Sequence, residues 1–240
     1  MTLQPTYRRV MIKLSGDTLC AEGRGGLAPA SLAAVAGEIA GLARLGVQVG
    51  LVVGGGNFLR GRDLAGEKDI RQTTADAMGM LATIMNALAL QDKLNAGGTP
   101  AVVFSAIAMP SICQTFNPRS AREALDAGKV ALFAGGTGCP YFTTDTCAAL
   151  RAAEVAAEVL LKATKVDGVY DRDPMKYPEA RKFDRLTYQE ALARQLGVMD
   201  MTAFSLCMES RIPIIVLQLF KDNSLVRAVC GQSVGTVVAP

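Results

Sequence analysis

Short apolar runs rich in β-branched residues alternate along the chain with longer stretches whose apolar positions recur at steps of three and four. The strand-like runs occupy residues 8–14, 47–53, 101–105, 130–134, 159–163, 213–219 and 236–239. After the first of them, Leu32, Val35, Ile39 and Leu42 form one stripe of an amphipathic helix, Glu38 and Arg44 lie off it, and Gly46 follows as a stop. A second helix is predicted from about Thr73 to Asn95, with Met78, Leu81, Met85, Leu88 and Leu94 read as its core stripe. A third starts at Asp145 and runs to about Ala157. Strands alternating with helices predict a largely parallel sheet covered by helices. From Gly168 to Thr187 the helical period is lost, two prolines and dense charge enter, and the segment reads as a surface hairpin or lid. With no linker, long repeat or low-complexity tract, residues 1–240 read as a single α/β domain.

Three of the strands run into glycine-rich turns: Lys13-Leu-Ser-Gly16, Gly54-Gly-Gly-Asn57, and the stretch AGGTGCPYFTTD from Ala134 to Asp145. Glycine lets backbone N–H groups approach a ligand closely, Pro140 stiffens the last turn, and Thr143 or Thr144 can cap the helix that follows. Helix N-termini attract anions. In open α/β sheets ligands bind beyond the carboxyl ends of the strands, where all three turns fall. One phosphate-binding site built from three turns is the expectation. Neither GxxxxGK[ST] nor GxGxxG occurs, which removes the main support for P-loop NTPases and Rossmann dehydrogenases.

Composition narrows the chemistry. The balance of 25 Lys and Arg against 22 Asp and Glu gives a net charge of +3, with no basic run, so a nucleic-acid track is not expected. Histidine is absent, which excludes Ser-His-Asp and Cys-His nucleophiles and histidine-ligated metals. The six cysteines include no CxxC pair, so neither zinc nor redox spacing is present, and scattered thiols fit a reducing compartment. No signal-like segment precedes the first strand, and no apolar run reaches the roughly 18 residues of a membrane span. A soluble, cytoplasmic protein that uses no membrane is predicted.

Joining two anionic nucleotides requires fixed cations and aligned amides, which Lys13, Arg60 and the glycine turns can supply. Asp145 has two readings, a first-turn stabiliser of its helix or a carboxylate that orients a lysine. Asp76 likewise either stabilises the head of the second helix or accepts from a sugar hydroxyl. Lys162-Ala-Thr-Lys165-Val-Asp167-Gly-Val-Tyr170-Asp-Arg-Asp173 reads as a β-turn, or as a wrap around a base in which Thr164 and Asp173 offer hydrogen bonds.

Six segments in order, KLSG (13–16), GGGNFLRG (54–61), ADAMGMLAT (75–83), GGTGCPYFTTD (135–145), LLKATKVDGVYDRDP (160–174) and VMDMTAF (198–204), strongly resemble the bacterial UMP kinases of the amino acid kinase family. The resemblance implies a three-layer α/β/α sandwich with a central, mainly parallel sheet, assembled as a homohexamer. It implies in-line transfer of the ATP γ-phosphate to UMP in pyrimidine nucleotide biosynthesis, with Mg²⁺ bridging the ATP phosphates and no protein metal ligand. The acceptor half would span about 1–150 and the ATP half about 151–240.

Carried over by position, Lys13, Arg60, Asp145 and Asp200 match catalytic positions. Lys13, Leu14, Ser15, Gly16, Gly56 and Arg60 match contacts to ATP phosphates, and Thr164, Tyr170 and Asp173 match the nucleoside end. Gly55, Asp76, Thr137, Gly138, Cys139, Pro140, Tyr141, Phe142, Thr143 and Thr144 match the UMP pocket. Ala21, Glu22, Gly23, Arg24, Gly25 and Gly26 match a GTP-responsive loop, in a family activated by GTP and inhibited by UTP.

Three positions depart from the family pattern: Asp17 for Glu, Ala77 for a larger side chain, and Cys139 for Asn. Two rivals share the scaffold, an acyl-phosphate-forming amino acid kinase and a non-catalytic nucleotide or oxyanion storage protein. ADAMGML together with GGTGCPYFTTD favours a UMP acceptor over the first, and the presence of Lys13, Arg60, Asp76 and Asp145 weighs against the second.

Overall fold

The computed structural model describes residues 4–22, 24–59 and 69–240. Their strands, in chain order, are β1 (Arg9–Leu14), β2 (Gln48–Val53), β3 (Ala101–Ser105), β4 (Gln114–Thr115), β5 (Val130–Ala134), β6 (Val159–Thr164), β7 (Val169–Tyr170), β8 (Lys182–Phe183), β9 (Arg185–Thr187), β10 (Ile214–Gln218) and β11 (Thr236–Ala239). Nine form one sheet in the order β4-β3-β5-β2-β1-β6-β10-β11-β9, while β7 and β8 pair as a small antiparallel hairpin. Within the large sheet only β10 and β11 run antiparallel. All seven strands expected from the apolar runs are present, and the 168–187 excursion contains the hairpin.

Strand geometry sends alternate side chains to opposite faces, and a sheet buried on both sides needs helices on both. The described helices are α1 (Pro29–Arg44), α2 (Gln72–Ala96), α3 (Pro118–Asp126), α4 (Thr144–Glu154), α5 (Tyr188–Ala193), α6 (Met201–Glu209) and α7 (Ser224–Val229). Val10, Ile12 and Leu14 of β1 share one apolar cluster with Val35 and Ile39 of α1, Leu90 of α2 and Leu225 of α7. Met11 joins a second cluster with Leu125 of α3, Cys147 and Ala152 of α4, Tyr188 of α5 and Phe204 of α6. Two cores on either side of one sheet make the three-layer α/β/α sandwich.

Two expectations need correction. The third helix stops at Glu154 rather than near Ala157, because Ala156 takes a left-handed backbone at φ 56° that no helix can continue through. In α2, Met78, Leu81 and Met85 are exposed, and the buried positions include Ala75, Ala82, Ile84, Ala87, Leu90 and Leu94. Small residues bring this helix close to the sheet, and the Met-rich stripe is left facing outward.

Two polar residues of α2 are buried, Thr83 and Asn86. Asn86 is fully buried and exchanges reciprocal amide hydrogen bonds with Asn57, at 2.8 and 2.9 Å, while its Nδ2 also donates to the Gly54 carbonyl at 2.7 Å. The helix is thereby fastened to the turn after β2. Asn86→Ala removes the donor to both the Asn57 side-chain oxygen and the Gly54 carbonyl and should cost about 2–3 kcal/mol in urea unfolding, well above a surface Asn→Ala control.

Candidate active site

The sheet register places two lysines side by side. On β1, residues 10, 12 and 14 point to the α1/α2/α7 layer, so Lys13 points with Met11 toward α4. On β6, Val159, Leu161 and Ala163 point the first way and Leu160 the second, which turns Lys162 toward α4 as well. The two are paired in register on adjacent parallel strands. Like charges placed so repel, and a counter-charge must stand over them.

Asp145 supplies it. Thr143 caps α4, its hydroxyl oxygen accepting from the N–H groups of Asp145 and Thr146 at 3.0 and 3.2 Å, so Asp145 sits inside the first turn with its side chain free of capping duty. Its Oδ1 lies 2.8 Å from Lys13 Nζ and its Oδ2 2.8 Å from Lys162 Nζ, with all three side chains only 13–16% exposed. Lys162 donates a hydrogen bond to Oδ2, whereas Lys13 meets Oδ1 as an ion pair, and that buried oxygen has no aligned donor. Burial by itself would raise the Asp145 carboxyl, but the two ammoniums outweigh it and hold the group below the usual carboxylate range. Asp145 thus stands in the first turn of α4 and also pairs with two lysines. Lys162, which sequence reasoning passed over, completes the group; the signal was that MIK and LLK end neighbouring apolar runs in the same way.

The glycine turns close around this centre. A Cβ on Gly16 would lie 2.5 Å from Asn57 Oδ1, 2.6 Å from the Gly54 carbonyl and 2.8 Å from the Gly56 nitrogen, so the first two turns touch backbone to backbone. A Cβ on Gly54 would meet Thr144 Oγ1 at 3.6 Å, which brings in the third turn. Gly55 is pressed on α2, its added Cβ meeting the Gly79 carbonyl at 2.7 Å. Ser15 caps a short 3-10 turn and Leu14 is buried in the core, so Leu14 contributes through its backbone, its carbonyl taking the Gly54 N–H at 2.9 Å.

Beyond this centre, Asp76 is five residues into α2 rather than at its first turn. Its carboxylate accepts from Gln72 Nε2 at 2.7 Å and from the Tyr141 backbone N–H at 2.8 Å, which ties the helix to the third glycine turn. Tyr141 has φ 70°, a left-handed conformation that a tyrosine holds only under constraint. Tyr141 and Phe142 stand exposed, as do Gly138 and Cys139 beside the partly covered Thr137 and Pro140. Asp200 caps α6 and accepts from Thr143 Oγ1 at 2.5 Å and Thr146 Oγ1 at 2.9 Å. It is two bonds removed from the lysine pair, bracing the start of α4.

On the other side of Lys162 a cleft of about 400 Å³ opens. Thr164, Tyr170 and Asp173 line it, with Arg194, Gly197 and Val198 opposite, and Lys162 donates to the Val198 carbonyl at 2.6 Å. The Thr164 hydroxyl is held within its own turn, donating to the Val166 carbonyl at 2.7 Å. Arg60 and Gly23 lie outside the described residues. Gly26 is stitched to the second glycine turn through Asn57 by two hydrogen bonds of 2.8 Å, and Cys20 and Glu22 line a recess of about 370 Å³ with Lys165 and Phe220.

Comparison with known proteins gives the chain its family. Residues 8–218 match the model of the amino acid kinase family. The chain belongs to that family. A uridylate kinase of Ectopseudomonas mendocina (strain ymp) is 48% identical over 235 residues, covering 98% of this chain and 95% of that protein. The crystal structure of UMP kinase from Bacillus anthracis superposes with a TM-score of 0.94 at 33% identity, over 97% of this chain and 96% of that one. The structure from Ureaplasma parvum gives 0.91 at 36% identity over the whole of both chains.

The depressed Asp145 pKa has a consequence for stability. A carboxyl whose folded pKa lies below its unfolded value contributes stability that is present above the unfolded pKa and disappears as pH falls through the folded one. The gap in unfolding free energy between the parent and Asp145→Asn should therefore stay constant from pH 8 to about 5 and close only below about pH 4, the unfolded aspartate value. Parallel urea titrations check this, and a gap that closes near neutrality would contradict the paired state.

Proposed function

We propose that this chain is a UMP kinase that moves the γ-phosphate of ATP to UMP, giving UDP and ADP, by direct in-line transfer. The observation that carries the reading is the Asp145 carboxylate holding Lys13 and Lys162 side by side at the carboxyl ends of β1 and β6. Two ammoniums fixed in a water-poor site lower the energy of charge spread over a phosphoryl group in flight, with no reorganisation at the moment of transfer. Amides of the turns at Gly16 and Gly55–Gly56 and the N-terminus of α4 add fixed donors around them. The similarity to proteins named uridylate kinase and UMP kinase supports UMP as the acceptor.

On this proposal the 400 Å³ cleft takes the nucleoside of ATP, and UMP lies against Gly55, Asp76 and residues 137–144, with Lys162 at the edge of the cleft. Asp200 acts by bracing Thr143 and Thr146 rather than by touching phosphate. The donor set does not fit a protein-held metal: both Asp145 oxygens face ammoniums, and among the described residues no group of three Cys, Asp or Glu gathers. Mg²⁺ enters as part of the MgATP substrate, carried by phosphate and water.

Homohexamer assembly, GTP activation through residues 21–26, UTP inhibition and a cytoplasmic location complete the proposal. The outward Met78, Leu81 and Met85 stripe supports association, since a continuous apolar helix face is costly to leave in water. The Gly26–Asn57 stitch gives the loop a path to the phosphate turn. Among the described residues no helix is long and apolar enough to cross a membrane.

Coupled ADP release with UMP, CMP, dUMP and amino-acid carboxylates as acceptors tests the function, and UMP should dominate. Preference for a carboxylate would favour the acyl-phosphate relative, and ATP binding without turnover would favour the storage reading. Lys13→Ala and Lys162→Met should each lower kcat by roughly a hundredfold or more while moving the UMP KM little, as expected of groups aimed at the transferred phosphate. Asp76→Asn should instead act mainly on the KM for UMP.

A further inference from the structure

The Asp167 carboxylate stands at a crossing of three chain segments. Its Oδ1 accepts from the Tyr170 hydroxyl at 2.5 Å, and its Oδ2 takes Lys221 Nζ at 3.0 Å and Lys182 Nζ at 3.7 Å. Tyr170 lies on β7, Lys182 on β8, and Lys221 in the loop between β10 and α7. That loop carries two consecutive left-handed residues, Asp222 at φ 48° and Asn223 at φ 54°, a conformation that lasts only where neighbours impose it. The next residue along, Gly168, has no room for a side chain, since an added Cβ would meet Thr236 Oγ1 at 2.6 Å and Lys182 Cδ at 2.9 Å. Val169 N–H donates to the same Thr236 hydroxyl at 2.8 Å, and that hydroxyl donates to the Phe183 carbonyl. The hairpin is thus clamped at its root.

Tyr170 lines the 400 Å³ cleft, but Asp167 does not. It lines a separate recess of about 140 Å³ behind the hairpin, with Lys182, Lys221 and Arg227. The tether therefore draws the tyrosine hydroxyl away from the cleft and fixes the direction of the ring that forms its wall. We propose that Asp167 is a positioning residue for the donor nucleotide: it never touches ATP, and it sets the wall that the nucleoside packs on by holding Tyr170, β8 and the β10–α7 loop together. This rests on placing the ATP nucleoside in that cleft. The Tyr170 hydrogen bond, opposed by partial burial and reinforced by Lys221 and Lys182, holds the Asp167 carboxyl down at about 2. The tether is consequently charged at every pH at which the enzyme would be assayed.

Steady-state kinetics on the full chain separate this role from a general structural one. Asp167→Asn should raise the KM for ATP by about tenfold, the scale of one charge-assisted hydrogen bond, with kcat and the KM for UMP each within about twofold of the parent. Tyr170→Phe, which keeps the ring and removes the tether from the other end, should raise it similarly, and the double variant should be no worse than either single. An unchanged ATP KM in Asp167→Asn, an additive double variant, or equal losses in both substrates would overturn the proposal. If Asp167→Asn does not fold, Tyr170→Phe decides alone, and an unchanged ATP KM there is equally fatal. Gly197→Phe, whose added side chain starts in open space on the opposite wall, tests the underlying placement. If it leaves ATP binding untouched, the donor does not occupy the cleft; if it weakens ATP while Asp167→Asn does not, only the role of Asp167 falls.

Discussion

Two ammonium groups on adjacent strands, both turned into a nearly dry interior, can be tolerated only if a carboxylate stands between them. That constraint organises this molecule. Lys13 and Lys162 are in register, so neither can move off without breaking the sheet, and the compensating charge has to come from the layer above. It comes from the first turn of α4, which requires that helix to begin at a set height, and Thr143 starts it there by taking two of its free N–H groups. Breaking one arm of such a buried cluster leaves an uncompensated charge, which costs far more than the intact group contributes. Stability alone does not account for such an arrangement.

The glycine turns follow from the same demand. An anion brought to the lysine pair must also be met by backbone donors, and these reach it only if the turns after β1 and β2 lie against one another. Gly16 against Gly54 and Gly56 leaves no space for a single methyl group. Buried Asn86 and Asn57 then hold the second turn from below through their paired amides, and buried Thr83 takes the Gly135 N–H of the third, which together fix the register of the α2 interface.

Much of this was legible before any coordinates. The seven main strands were read from β-branched runs because strands buried on both faces are apolar throughout, and the glycine exits marked turns that the fold packs against one another. Reading the face of α2 failed for a physical reason: periodicity finds a stripe but not its direction. Ala75, Ala82 and Ala87 make the buried side, where close approach to the sheet matters more than bulk, and Met78, Leu81 and Met85 the outer one. The short helices α3 and α5 were missed although their starts carry plain signals, Asn117 before Pro118 and the Thr187 to Glu190 capping box. Lys162 was missed because a lysine inside an apolar run is ordinary until its register against Lys13 is known.

The segment from Gln195 to Asp200 belongs to both sides of the site at once. Its first half, through Val198, walls the cleft and gives a carbonyl to Lys162; its last residue, Asp200, takes the hydroxyls of Thr143 and Thr146 at the head of α4, two and one residues from Asp145. Any displacement of this segment must therefore pull on the lysine through Val198 and on its carboxylate partner through Asp200. Two hydrogen bonds of 2.5 and 2.6 Å at the ends of a three-residue stretch leave little slack to absorb such a shift locally. Anything that moves the cleft wall therefore acts on the same brace that sets the spacing of Lys13, Asp145 and Lys162.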